Sequence, residues 1–238
     1  MNNELYLIWG PTSTGKTALS VNIAKKTGYP VIALDRFQGY QEIVTGSGAP
    51  DAEELQGTER IYLSDKPLID GIISAQDVNN RLKDKIAELS TAEHGVILEG
   101  GSVSILTALC NDEDWSKPSW RIKIFNIPSS NLFIKKAKTR VTGMFYPPNH
   151  GQSILKEIRI FFDTYHTIQP LEDIDGYRVI IRYCKENAIN IHTLDSISDQ
   201  DKNTMINLIA NEYFEHALWQ ENNFPSIPDS WKWRELEI

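Results

Sequence analysis

Eight residues, Gly10-Pro11-Thr12-Ser13-Thr14-Gly15-Lys16-Thr17, fit the spacing G-x-x-x-x-G-K-[ST] of a phosphate-binding loop. The chemistry follows from the residue types. Glycines let backbone N–H groups converge on phosphate oxygens, and the start of a following helix adds positive potential. Lys16 would reach a terminal phosphate, and the Thr17 hydroxyl would hold a magnesium ion. The pattern therefore points to a phosphorylated small molecule, without saying what is done to it. Two acids invite the same question. Asp35 follows the apolar run Val31-Ile32-Ala33-Leu34, and Glu99 ends the run Val96-Ile97-Leu98 before Gly100-Gly101. In open α/β sheets the ligand crevice lies beyond the carboxyl ends of the strands, which is where both would sit. Asp35 reads equally as a ligand-facing acid or a helix cap, and Glu99 as a magnesium acid or a turn anchor.

A phosphate loop works only between a strand and a helix, and both are present. Leu5-Tyr6-Leu7-Ile8-Trp9 is an apolar run of strand length, and Leu19, Ile23 and Val21, Ala24 recur at helical spacing. Further strands are expected at 31–34, 95–99 and 120–128, with a brief extended segment at Arg60-Ile61-Tyr62-Leu63. Helices are expected at Asp51–Leu55, at Ala75–Leu89, through Leu106 and Leu109, and at Ser129–Met144. Strands interleaved with helices predict a parallel α/β sheet. The later helix carries Lys135, Lys136, Lys138 and Arg140; the lysines read as a solvated face, and spacing does not assign Arg140. Beyond it the sequence predicts helices near 153–165, 176–186 and 199–222, a short strand at Ile191–Leu194, and a proline- and tryptophan-rich tail without periodicity. Pro147-Pro148-Asn149-His150-Gly151 is the expected hinge. It would separate an α/β core, 1–146, from a mainly helical region, 147–238, that closes the site.

The chain has 238 residues, 41% of them hydrophobic, enough to bury a core. Its net charge of −8 argues against a nucleic-acid partner. Cys110 and Cys184 are far apart and read as unpaired buried thiols of a reducing compartment. No leader or membrane span is expected, so the expected location is cytoplasmic.

Together these stretches resemble the bacterial adenylate isopentenyltransferases that begin cytokinin synthesis. The resemblance runs through the loop 10–17, Leu34-Asp35-Arg36, Thr45-Gly46-Ser47-Gly48, Arg60-Ile61-Tyr62-Leu63 and Ile97–Ser102. It continues through Ala137-Lys138-Thr139-Arg140-Val141, Ile174–Arg178 and Ala210–Ala217. It covers nearly the whole chain in one order, leaving 226–238 without a counterpart. It implies a phosphate-loop core of the nucleoside-triphosphate-hydrolase type with a helical C-terminal region. It also implies transfer of a dimethylallyl group, or its hydroxylated form, from the diphosphate to the exocyclic amine of AMP, with magnesium. The substrates would be AMP and dimethylallyl diphosphate or 4-hydroxy-3-methylbut-2-enyl diphosphate, with no nucleic acid and no membrane; the sequence leaves the oligomeric state open, a monomer being favoured. By resemblance Asp35 is the base, Thr12 donates to the bridging oxygen, and Lys16 and Arg140 bind the diphosphate. Gly10, Pro11, Ser13, Thr14, Gly15 and Thr17 form the substrate loop, and Ser47 meets AMP. Asp175, Tyr213 and His216 enclose the prenyl donor; without the resemblance Asp175 would read as a helix cap and His216 as an ordinary helix residue. A tRNA dimethylallyltransferase shares the loop and the base but normally carries an RNA-binding region, absent from so short and acidic a chain. A small-molecule kinase would use the loop but leave the other motifs unexplained.

Overall fold

The computed structural model describes residues 4–89, 95–147 and 151–237. Six strands, β1 (Glu4–Trp9), β2 (Val31–Leu34), β3 (Arg60–Ile61), β4 (Val96–Gly100), β5 (Ser119–Ile124) and β6 (Lys232–Glu235), form one sheet in the order β3-β2-β4-β1-β5-β6. Every pairing is parallel. Among the described residues the α-helices are α1 (Lys16–Thr27), α2 (Ala52–Leu55), α3 (Ala75–Leu89), α4 (Val103–Cys110), α5 (Ser130–Phe145), α6 (Ile154–Tyr165), α7 (Tyr177–Glu186) and α8 (Asp199–Asn223).

The central strand shows why the sheet needs cover on both faces. Leu5, Leu7 and Trp9 of β1 point to one side, where they pack with Val78, Leu82, Leu106 and Leu109 of α3 and α4. Tyr6 and Ile8 point to the other, against Leu19 and Ala24 of α1. A strand buried on both faces is continuous in its apolar content, as β1, β2 and β4 are. Register then aligns the functional ends: Leu34 lies beside Gly100 and Ala33 beside Glu99, while Trp9 lies beside Gly100. The phosphate loop, Asp35 and Glu99 thus leave the sheet together.

A separate hydrophobic cluster joins α5 to α8, with Tyr40, Ile43 and Leu68 added from the earlier chain. The helix starts are local chemistry. Asp51 opens α2 with a reciprocal capping box to Glu54. Ser153 and Ser198 accept the amides of Lys156 and Asp201 at the starts of α6 and α8. Among the described residues no helix is long and apolar enough to cross a membrane.

Two sequence expectations are corrected. Residues Ile191–Ser196 form a 3-10 helix, not a strand, because the Asn190 side chain accepts the His192 amide and turns the chain at once. The tail is not without order: its last turn of chain adds β6 beside β5, and Leu236 is buried. All four β6 residues are exposed, which is why no apolar alternation announces the strand. The tail is anchored instead by Trp231, stacked on Trp120 with centroids 4.4 Å apart and planes 7° off parallel. Cluster membership also crosses residue 146, since α5 packs with the later helices and β6 with the earlier sheet. Of the expected hinge, residues 148–150 lie outside the described residues. Cys184 is buried as expected, whereas Cys110 is half-buried.

Trp231 is 4% exposed, so its loss should leave an unfilled contact on Trp120. We expect Trp231→Ala to lower stability by about 3 kcal/mol, the scale for large buried aromatics. Urea unfolding measures this, and a change below about 1 kcal/mol would mean that the tail is not docked.

Candidate active site

The loop between β1 and α1 curls so that its donors face one space. Gly15 sits at φ 104°, a region closed to side chains with a Cβ, and Ser13 at φ 59°. Pro11, though part of the motif, contributes its carbonyl as internal bracing: it accepts Thr14 Oγ1 at 2.8 Å and Lys16 Nζ at 2.7 Å. Thr12, Ser13, Gly15, Lys16 and Thr17 line a cavity of about 960 Å³, while Gly10, Pro11 and Thr14 stand behind it. Ser13 Oγ is buried without a hydrogen-bond partner in the protein, an orphan suited to a ligand oxygen. Burial pushes the Lys16 ammonium down to about 8, against the pull of Glu99 and Asp35. At neutral pH it is still mainly a cation.

Asp35 stands on the same cavity wall. Its Oδ1 accepts the amides of Phe37 at 2.7 Å and Gln38 at 3.1 Å, so one oxygen is fixed and the other remains for a ligand. Burial pushes the carboxyl above the usual Asp value, and outweighs the two amides and Arg60, which pull it down. A carboxylate made more basic by its surroundings is a better proton acceptor.

Glu99 is engaged differently. Its Oε2 accepts Arg60 Nη1 at 2.6 Å and lies 3.4 Å from the Thr17 hydroxyl. The Arg60 and Glu99 side chains are only 2% and 4% exposed, and Arg60 also donates to Gln38 Oε1 at 3.1 Å. Sequence reasoning missed this pair. Arg60 lies in the extended segment 60–63, one of the stretches that carry the resemblance, yet no role attaches to it there; the one available signal is a cation at the start of a short strand.

The helical layer supplies the rest of the wall. Arg140 of α5 donates through Nη2 to the Gly48 carbonyl at 2.5 Å, and Ser47 lies beside it on the cavity. Asp175 precedes α7, whose cap position is Gly176, so Asp175 is not the cap itself. Its carboxylate meets His216 Nδ1 at 3.3 Å and Arg178 Nη2 at 2.7 Å, and Arg178 continues to Glu212 at 2.6 Å. Burial raises the Asp175 carboxyl above its usual value, with His216 and Arg178 opposing. Tyr213 is buried beneath, its phenol pushed up by burial, and its hydroxyl lies 3.9 Å from Met144 Sδ. Lys135 and Lys136 also face the cavity, so the basic stretch is not wholly a solvated face. Gln220 joins them from α8, donating to the Gly101 carbonyl at 2.7 Å.

A parallel sheet with a phosphate loop, a strand-end acid and a helical wall of polar groups defines a phosphate-loop α/β protein built around a phosphorylated ligand. The comparisons narrow this. The sequence model described as isopentenyl transferase matches residues 3–235, and the chain belongs to that family. An adenylate dimethylallyltransferase of Pantoea agglomerans pv. gypsophilae is 50% identical over 98% of this chain and 100% of its own length. One of Ralstonia solanacearum is 45% identical over 96% of this chain and 97% of its own. Among solved structures, a tRNA delta(2)-isopentenylpyrophosphate transferase from Staphylococcus epidermidis superposes with a TM-score of 0.70 at 17% identity. That match covers 98% of this chain and 93% of the other, and it shows the shared fold.

The upward shift of the Asp35 pKa can be tested directly. Carbon-13 NMR titration of its carboxyl should give a midpoint above the ordinary value of about 3.9. A midpoint at or below that value would mean that the amides, not burial, dominate.

Proposed function

We propose that this chain transfers a dimethylallyl group, or its hydroxylated form, from the diphosphate to the exocyclic amine of AMP, releasing pyrophosphate and opening cytokinin synthesis. The observation that carries the reading is that the phosphate loop and Asp35 face one cavity. The relatives named above are adenylate dimethylallyltransferases, which supports AMP as acceptor.

The adenine amine is a weak nucleophile because its lone pair is delocalised into the ring. Asp35, held by two amides with one oxygen free, accepts the amine proton as the new C–N bond forms at the allylic carbon. The C–O bond to the diphosphate breaks, and its electron pair leaves with the pyrophosphate. Lys16, Arg140 and Thr12 line the same cavity, and with the loop amides they would stabilise the oxygens on which that charge collects. Ser47 lies on the acceptor side, and Asp175, Tyr213 and His216 enclose the prenyl end.

The residues also fit magnesium. The Thr17 hydroxyl and Glu99 carboxylate are hard oxygens 3.4 Å apart, and magnesium takes one or two such protein ligands, filling its shell with water and phosphate oxygens. Among the described residues no three His, Cys, Asp or Glu gather into a metal site. When bound, magnesium would neutralise charge on the leaving diphosphate. In this reading residues 1–146 supply the loop and the base, and 147–238 supply the groups around the donor.

Mass spectrometry of a reaction containing AMP, dimethylallyl diphosphate and magnesium should show prenylated AMP. Transfer to tRNA alone, or phosphoryl transfer, would overturn the reading. Asp35→Asn should bind both substrates yet lose at least ~10²-fold in turnover, the usual scale for a general base; activity within a few-fold of the wild type would remove Asp35 from that role.

Donor choice follows from the Asp175–His216 pair. The two side chains satisfy each other at 3.3 Å, so an apolar donor leaves neither orphaned, while a donor hydroxyl can join them. Both donors should react. His216→Leu should lower kcat/KM for the hydroxylated donor about tenfold more than for dimethylallyl diphosphate, the scale of one buried polar group left unpaired. An unchanged ratio would show that His216 takes no part in donor choice.

A further inference from the structure

Glu157 is a carboxylate 4% exposed in the middle of the helical layer, on α6. Among the described residues it has no cationic partner, and it does not reach the cavity. Its hydrogen bonds run instead to the segment that carries Ser47. Oε1 accepts the Thr45 amide at 2.7 Å, and Oε2 accepts the Gly46 amide at 3.0 Å and the Tyr177 hydroxyl at 2.6 Å. Burying a carboxylate is unfavourable unless its contacts are made, and here two amides and a phenol make them. Satisfying those three donors is one reason for an acid at this position.

Geometry gives a second. The 43–48 segment winds tightly, with the Ser47 amide on the Ile43 carbonyl at 2.8 Å and the Gly48 amide on the Thr45 carbonyl at 3.1 Å. Its outer edge is tied by Thr45 Oγ1 to the Gln152 carbonyl at 2.7 Å. Its inner edge lies so close to Tyr177 that a Cβ on Gly46 would collide with the phenol oxygen, which is why a glycine is needed there at ordinary φ. Two successive amides clamped by one carboxylate fix both the height and the rotation of the peptide that precedes Ser47.

We infer that Glu157, with Tyr177, is a positioning residue that sets the 45–47 backbone so that Ser47 meets the acceptor nucleotide. This rests on the assignment of Ser47 to the acceptor side made above. Glu157→Gln keeps the shape but replaces one acceptor oxygen by a donor, leaving an amide or the phenol unmatched. The expected result is a rise of about tenfold in KM for AMP, the effect of one unmatched buried donor, with KM for dimethylallyl diphosphate within about twofold of the wild type. A purely structural role would lower the melting temperature and leave the ratio of the two KM values alone. That unchanged ratio would overturn the inference. Should Glu157→Gln fail to fold, Tyr177→Phe removes one of the three donors and leaves both amides held. It should move the same ratio by about threefold, and no movement would again be decisive. Wild-type enzyme that prenylates a different acceptor would sink the AMP reading, while the KM ratio taken with that acceptor still tests the clamp.

Discussion

Charge buried at the end of a sheet must be balanced by something, and this site is organised by that demand. Lys16, Asp35, Arg60 and Glu99 share one cavity, two cations with two acids. Glu99 and Arg60 neutralise each other at 2.6 Å, and Lys16 and Asp35 are each shifted toward the uncharged form by burial. Removing either partner of the Arg60–Glu99 pair would leave an unpaired buried charge, which typically costs about 3–5 kcal/mol. The arrangement depends in turn on register: Leu34 and Gly100 must lie side by side for Asp35 and Glu99 to leave the sheet at one level. A slip of one residue would turn every alternate side chain to the opposite face.

An anion bound there would enter a site where Arg60 and Glu99 at the sheet end already neutralise each other. Further cations on the cavity, Arg140 with Lys135 and Lys136 of α5, come from the helical layer and not from the sheet. Such an anion also gives meaning to the orphaned Ser13 hydroxyl, one polar donor left open where a phosphate oxygen would complete it. The helical layer is thus more than a cover. It contributes Arg140 and the Asp175–His216 pair to the wall, and through Glu157 it reaches back to a loop of the earlier chain.

Much of this was legible from the chain and some was not, for physical reasons. The 3.6-residue apolar period of Val78, Leu82 and Ile86 locates α3 to its ends, and Asp51 with Glu54 announces the α2 cap. The glycine and lysine spacing of the phosphate loop is equally local. What escaped was non-local or exposed. Arg60 and Glu99 stand 39 residues apart, and Glu157 lies more than 100 residues from the amides it holds. No window of sequence contains both partners. The edge strand β6 hides for the opposite reason, being exposed on all four residues, so burial writes no pattern into it. At 191–196 the β-branched residues favour a strand, yet the Asn190 cap decides for a turn of helix.

The hydrogen bond from Arg140 to the Gly48 carbonyl has a thermodynamic consequence of its own. In the proposed roles the guanidinium serves the leaving diphosphate, while Gly48 follows directly on the serine that serves the acceptor. Any ligand that draws Arg140 away strips that carbonyl of its partner and alters the free energy of the neighbouring turn. Linkage then requires reciprocity: the factor by which one substrate changes the affinity of the other is the same whichever arrives first. In those roles a single contact between an arginine and a peptide oxygen would couple two binding events without requiring a subunit interface.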